Sequence, residues 1–155
     1  MAKYTADQVA ETLIALARQR GMGISNLKLQ KLLYYAQAWN LAFYKEPLFS
    51  DDFEAWVHGP VVPSIFHRFK AYRWNDITEN VTPLDDSDLV AHLKEVLRVY
   101  GDFTPNQLER LTHSEKPWQD ARDGLAPDVP SRTRITRKSM SEFYSGLVNG
   151  AKEKA

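Results

Sequence analysis

Between Ser25 and Lys70 the chain reads SNLKLQKLLYYAQAWNLAFYKEPLFSDDFEAWVHGPVVPSIFHRFK, and this stretch restricts the fold more than any other. Leu27, Leu29, Leu32, Leu33, Ala36, Trp39, Leu41 and Phe43 cover more of a helix than a single stripe. A helix that is apolar over most of its circumference belongs in the middle of a bundle. Lys28, Gln30, Lys31 and Gln37 leave it a narrow polar strip, and positions 28, 31 and 35 are where it is expected to meet water. Pro47 forbids continuation of the helix. Phe53 to Val57 alternates as a short strand. The following Trp56-Val57-His58-Gly59-Pro60-Val61-Val62-Pro63 makes a rigid corner. There Gly59 permits an unusual backbone angle, Pro60 fixes the next, and Trp56 is expected to fill the core beside the bend.

The remaining segments are helical in pattern. Thr5 and Gln8 have capping-box spacing, and Val9, Leu13, Leu16 and Ala17 follow at helical intervals before Gly21 and Gly23. Ser25 caps the second helix, which runs to about Tyr44. Pro63 opens a third, with Ile65, Phe66, Phe69 and Tyr72 on one face. Trp74 to Pro83 reads as a loop. Ser87 caps a fourth helix carrying Leu89, Leu93, Val96, Leu97 and Tyr100, and Gly101 stops it. Thr104-Pro105-Asn106-Gln107 is a second capping box, and Pro117-Trp118 starts one further turn. Met140, Phe143, Tyr144, Leu147 and Val148 make an amphipathic last helix, over about 137–150. The expected fold is mainly α. It is a compact bundle of about six helices with a minor β element near 53–57, forming one domain over 1–155.

Motifs of catalysis and metal binding are sparse. The four histidines are His58, His67, His92 and His113, none paired at i+3 or i+4. With no cysteine, disulfides and thiolate chemistry are excluded. Asp85-Asp86-Ser87-Asp88 lacks the glycine and distal glutamate of a calcium loop and reads as carboxylates at a helix N-terminus. Asp51, Asp52 and Glu54 read as a solvated turn rather than a catalytic pair. No GxSxG, Walker loop or GxGxxG is present. No catalytic residue, metal or cofactor is therefore expected, and the chain is read as a non-enzyme. The opening MAKYTADQV lacks the apolar core of a signal peptide, and no apolar run approaches the roughly 18 residues of a membrane span. Cytoplasmic location without membrane contact is the expectation.

Formal net charge is zero, so no global field favours nucleic acid. Locally, the segment from Ser131 is basic, with Arg132, Arg134, Arg137, Lys138, Lys152 and Lys154 against Glu142 and Glu153. No aromatics interleave to make a nucleic-acid platform. Helices one and two have helix-turn-helix lengths, but helix two offers Leu, Tyr and Trp where a recognition helix needs polar groups. DNA or RNA binding stands as the alternative reading.

The motifs themselves resemble the Panacea domain family, the SocA-like antitoxins. The matching pieces are Asn26-Leu27-Lys28-Leu29-Gln30-Lys31-Leu32-Leu33-Tyr34-Tyr35, Pro47-Leu48-Phe49, Phe53-Glu54-Ala55-Trp56 and Gly59-Pro60-Val61-Val62-Pro63. Thr112-His113 and Glu115-Lys116-Pro117-Trp118 follow, so that the likeness spans about 5–121. The resemblance implies an antitoxin that neutralises a nearby-encoded toxin by direct contact, or that delivers it to a protease. Lys28, Lys31, Tyr35, Trp39 and His58 are the expected partner contacts. Tyr44, Tyr72 and Trp74 are further aromatic anchors. Leu29, Gln30, Leu33, Tyr34, Trp56, Gly59, Pro60, Val61, Pro63 and Trp118 are the structural motif.

Overall fold

A computed structural model describes residues 2–154; Met1 and Ala155 lie outside the described residues. The side chains of Lys152, Glu153 and Lys154, counted above in the basic segment, are also outside them. Seven helices stand among the described residues: α1 (Ala6–Gln19), α2 (Asn26–Tyr44), α3 (Pro63–Arg68), α4 (Ser87–Tyr100), α5 (Pro105–His113), α6 (Lys116–Arg122) and α7 (Arg137–Lys154). The strands are β1 (Phe53–Trp56), β2 (Gly59–Val61) and β3 (Arg134–Ile135). The fold is mainly α, as the apolar periodicity required.

Local chemistry sets the helix starts. Thr5 and Gln8 close the capping box of α1, and Thr104 and Gln107 close that of α5. Ser25 accepts from the Lys28 amide at the head of α2, and Pro63 occupies the first turn of α3. On α4 the cap is Asp86 rather than Ser87: its carboxylate accepts from the Leu89 amide, the stronger of two adjacent candidates beside a helix dipole.

The sheet is antiparallel in the order β2-β1-β3. Trp56 faces Gly59 across the Val57-His58 turn, and Phe53 and Glu54 pair with Ile135 and Arg134. Pro60 sits on the edge strand β2, where its missing amide costs no ladder bond. β2 and β3 were not expected from the sequence. Both are too short for alternation to show, and β3 finds its partner eighty residues upstream.

Helix α2 runs through the centre, packed on α7, α4, α5 and α1. Of the expected solvent strip, Lys28 alone keeps partial exposure, and Lys31 and Tyr35 are buried. Asn26, Gln30, Lys31, Gln37 and Asn40 are all buried, and each side chain hydrogen-bonds to backbone outside α2. Gln37 donates to Phe49 O (2.8 Å) and accepts from the Leu48 amide, and Asn40 donates to Glu46 O (2.8 Å). Gln30 accepts from the Val62 amide at 2.9 Å and donates to Asn26, which donates to Phe66 O. The buried peptide groups of Leu48, Phe49 and Val62, outside regular structure, would otherwise be left unpaired, each at a cost of about 1–3 kcal/mol.

Candidate functional site

Two neighbourhoods collect the motif residues. In the first, the β1–β2 corner closes over Lys31. Lys31 is 1% exposed, and its Nζ donates to Pro60 O at 3.2 Å. Burial lowers its pKa to about 7, against a partial upward pull from Glu109. Gly59, at φ +110°, passes over this side chain with Thr112 on its other side. His58 stands at the exposed tip, its Nδ1 2.6 Å from Glu109 Oε1. Beneath, Trp118 donates to Trp56 O (2.9 Å) and stacks on His113 with ring centres 3.8 Å apart. Arg122, also buried, donates to Ala55 O and lies over the Trp118 ring. α6 therefore adds side-chain hydrogen bonds to two carbonyls of β1. Trp56 itself is half-buried, edge-on to Phe66, and does not fill the core as expected. The short turn holds its ring at the rim, and Trp118 takes the interior place.

In the second neighbourhood, α2, α4 and α7 meet in an aromatic layer. Tyr35 is fully buried and stacks on Tyr100 at 3.9 Å. The Tyr35 and Tyr144 hydroxyls both donate to Glu115 Oε1, at 2.9 and 2.7 Å. Burial raises the Glu115 pKa, against the downward pull of those two bonds. Tyr34 meets Phe53 and Tyr144 edge-on. Trp39 donates its indole N–H to the Tyr100 hydroxyl at 2.7 Å and stacks on Phe43.

From Trp39 outward the layer opens to solvent. Trp39, Phe43, Val96, Val99 and Tyr100 line an apolar recess of about 190 Å³ between α2 and α4. It shares Phe43, His92 and Glu95 with a broader trough of about 490 Å³ that runs past Tyr44, Pro47 and Asp88. Phe43 is 56% exposed and Val99 45%. His92 bridges the two helices through Nε2 and Ala36 O (2.8 Å), and burial lowers its pKa.

The expected partner contacts are thus dispersed. His58 is exposed. Lys31 and Tyr35 lie inside, so neither presents a surface, and the periodicity argument that put them at water fails. Their polar ends are consumed by Pro60 and Glu115, distant in sequence. Lys28 is partly buried, donating to Gly101 O at the C-terminal end of α4, with its pKa lowered by burial. Trp39 alone of the five borders an apolar recess. Of the further aromatics, Tyr44 and Trp74 are exposed and Tyr72 is half-buried. The sequence reading placed Phe43 in the core and overlooked Val99. Phe43 stands four residues after Trp39 on the last turn of α2, a spacing that puts both on one face. The motif residues Leu29, Leu33, Tyr34, Gly59, Pro60, Val61 and Trp118 are buried.

Part of the nucleic-acid candidate surface makes contacts within the protein. α2 is enclosed and cannot enter a groove. Arg134 pairs with Asp52, Arg137 donates to Ser50 O, and Lys138 lies 4.0 Å from Glu142. Among the described residues no group of three or more His, Cys, Asp or Glu is placed to hold a metal ion.

Comparison with known proteins gives a consistent picture. The family model for "Antitoxin SocA-like, Panacea domain" matches residues 29–119, from α2 through the corner to α6. Antitoxin SocA of Caulobacter vibrioides (strain NA1000 / CB15N) is 33% identical over 153 residues, covering 90% of this chain and 81% of that protein. No solved structure matches the chain.

Proposed function

The chain belongs to the SocA-like Panacea domain family of antitoxins, and from that premise we propose that it neutralises a nearby-encoded protein toxin by direct contact in the cytoplasm. The supporting observation is how buried motif residues and an open apolar face divide the surface of the bundle. Gln30, Lys31, Tyr35 and Trp118 are turned inward as a scaffold, while Trp39, Phe43 and Val99 leave an apolar face open at the end of α2. Exposed aromatics beside a recess are the usual anchors of a protein interface, which needs about 800 Å² per partner. No described helix is long and apolar enough to cross a membrane.

The test is co-expression with the product of the adjacent reading frame. Growth arrest by that product alone, relieved by this chain together with a co-purifying complex, is the expected result. Relief with no complex and with loss of the toxin would transfer the reading to delivery to a protease. A neighbour that arrests nothing would remove it. Nucleic-acid binding that falls steeply with salt would instead favour the regulatory alternative.

A further inference from the structure

The α2–α4 groove has a size, a charge and a length, and together these describe what it holds. At about 190 Å³ its apolar recess is smaller than the roughly 300–1,000 Å³ of small-molecule sites. It is suited to one large apolar side chain. The adjoining trough is lined by the carboxylates of Glu46, Asp88 and Glu95, with Lys3 the single ammonium. Glu95 is paired with Arg98, whereas Glu46 and Asp88 have no ion pair among the described residues. The wall formed by α4 runs from Asp88 to Val99, about 16 Å at 1.5 Å per residue, or three helical turns.

Strand addition is the other common way of capturing a peptide, and this sheet is poorly disposed to it. The β2 edge contributes three residues, one of them Pro60, and the next amide, Val62, is already bonded to Gln30. β3 is two residues long.

We propose that this groove receives an amphipathic helix of the toxin, with one large apolar side chain seated among Trp39, Val96 and Val99 and basic residues facing Glu46 and Asp88. The proposal rests on the direct-contact reading above and adds the chemistry of the docked segment.

Complex formation is measured with the purified product of the adjacent gene and four forms of this chain: wild type, Val99→Glu, Val99→Ala and Glu46→Lys. Glu is a good helix former, so Val99→Glu keeps the helix while charging the recess. It should weaken binding at least about 30-fold with the melting temperature unchanged. Val99→Ala should weaken it less, without added charge. Glu46→Lys should slow association about tenfold and flatten its salt dependence. A photo-crosslinking residue at position 99 should capture a toxin peptide in which a large apolar residue has Lys or Arg within one or two helical turns. The same residue at Asn106, exposed on α5, should capture none.

If wild type binds and both Val99 variants bind within about threefold of it, the groove is not the contact and direct neutralisation still stands. A captured peptide that is acidic, or lacks an apolar anchor, overturns the stated chemistry. If wild type itself forms no complex, the direct-contact reading falls and the groove assignment falls with it.

Discussion

Lys31 and Gly59 occupy each other's space: a Cβ on residue 59 would come within 2.7 Å of Lys31 Cε and 2.9 Å of Thr112 Oγ1. The glycine is required twice over, by this contact and by its φ of +110°. Gly59→Ala should therefore cost about 2–4 kcal/mol, combining backbone strain with overpacking. Adding Lys31→Ala should recover only the part of the packing cost that falls on Lys31, because the Thr112 contact and the φ angle remain. Urea unfolding of the two variants separates the parts, and full recovery would show that the φ angle carries no cost.

Lys31 also imposes a pH dependence. Its ammonium titrates near 10.4 in the unfolded chain and near 7 in the fold. Between those values the unfolded state holds the proton and the folded state does not, so stability rises with pH across this window. At about 1.4 kcal/mol per unit the rise is on the order of 3–4 kcal/mol. Burial raises the pKa values of Tyr34, Tyr35 and Tyr144, so the fold keeps phenol protons that the unfolded chain releases, and the trend reverses above about pH 10. Lys31→Met should lose most of the rise from pH 7 to 10 in denaturant titrations, keeping the smaller part due to Lys28, whose pKa burial also lowers. A wild-type profile no steeper than that would show the amine to be charged in place.

At Glu115 the acceptor matters more than the charge. Glu115→Gln leaves a carbonyl oxygen for the Tyr35 and Tyr144 hydroxyls and should stay within about 1 kcal/mol of wild type. Glu115→Ala strands two buried hydroxyls and should lose about 2–4 kcal/mol. Calorimetry at pH 7 distinguishes them; equal losses would mean that the carboxylate charge is needed.

Arg73 holds a conformation that glycine normally occupies. At φ 56° and ψ −119°, with the Asn75 amide bonded to Tyr72 O at 3.0 Å, it is the first central residue of a type II′ turn. That turn presents Trp74, 76% exposed. Arg73→Gly should relieve about 1–3 kcal/mol of strain and give back part as unfolded-chain entropy, a net gain near 1 kcal/mol. A lowered melting temperature would mean that the arginine side chain makes a contact worth more than the strain.

What could be read in the amino-acid sequence was local. Capping boxes at Thr5–Gln8 and Thr104–Gln107, the Ser25 cap and Pro63 placed helix starts correctly, because these signals act within one turn. The centrality of α2 was also legible from its apolar circumference. What was not legible depends on partners far along the chain. Lys31 looks like a solvent residue until Pro60 is laid over it. Tyr35 looks like an interface aromatic until Glu115 and Tyr144 arrive. Phe43, one more apolar residue in the string, is exposed because α2 outruns the helices that cover it. Position on a helix gives direction, and only the packed neighbours decide whether that direction is inside.

The place of Tyr144 has a consequence for the timing of synthesis. Its ring lies among Tyr34, Tyr35 and Trp39, and β3 at Arg134–Ile135 completes the sheet begun at Phe53. The central helix ends about ninety residues before the segment that seals it begins. Until then its aromatic face is uncovered, and a chain cut short before α7 lacks the Tyr144 ring that packs on Tyr34, Tyr35 and Trp39.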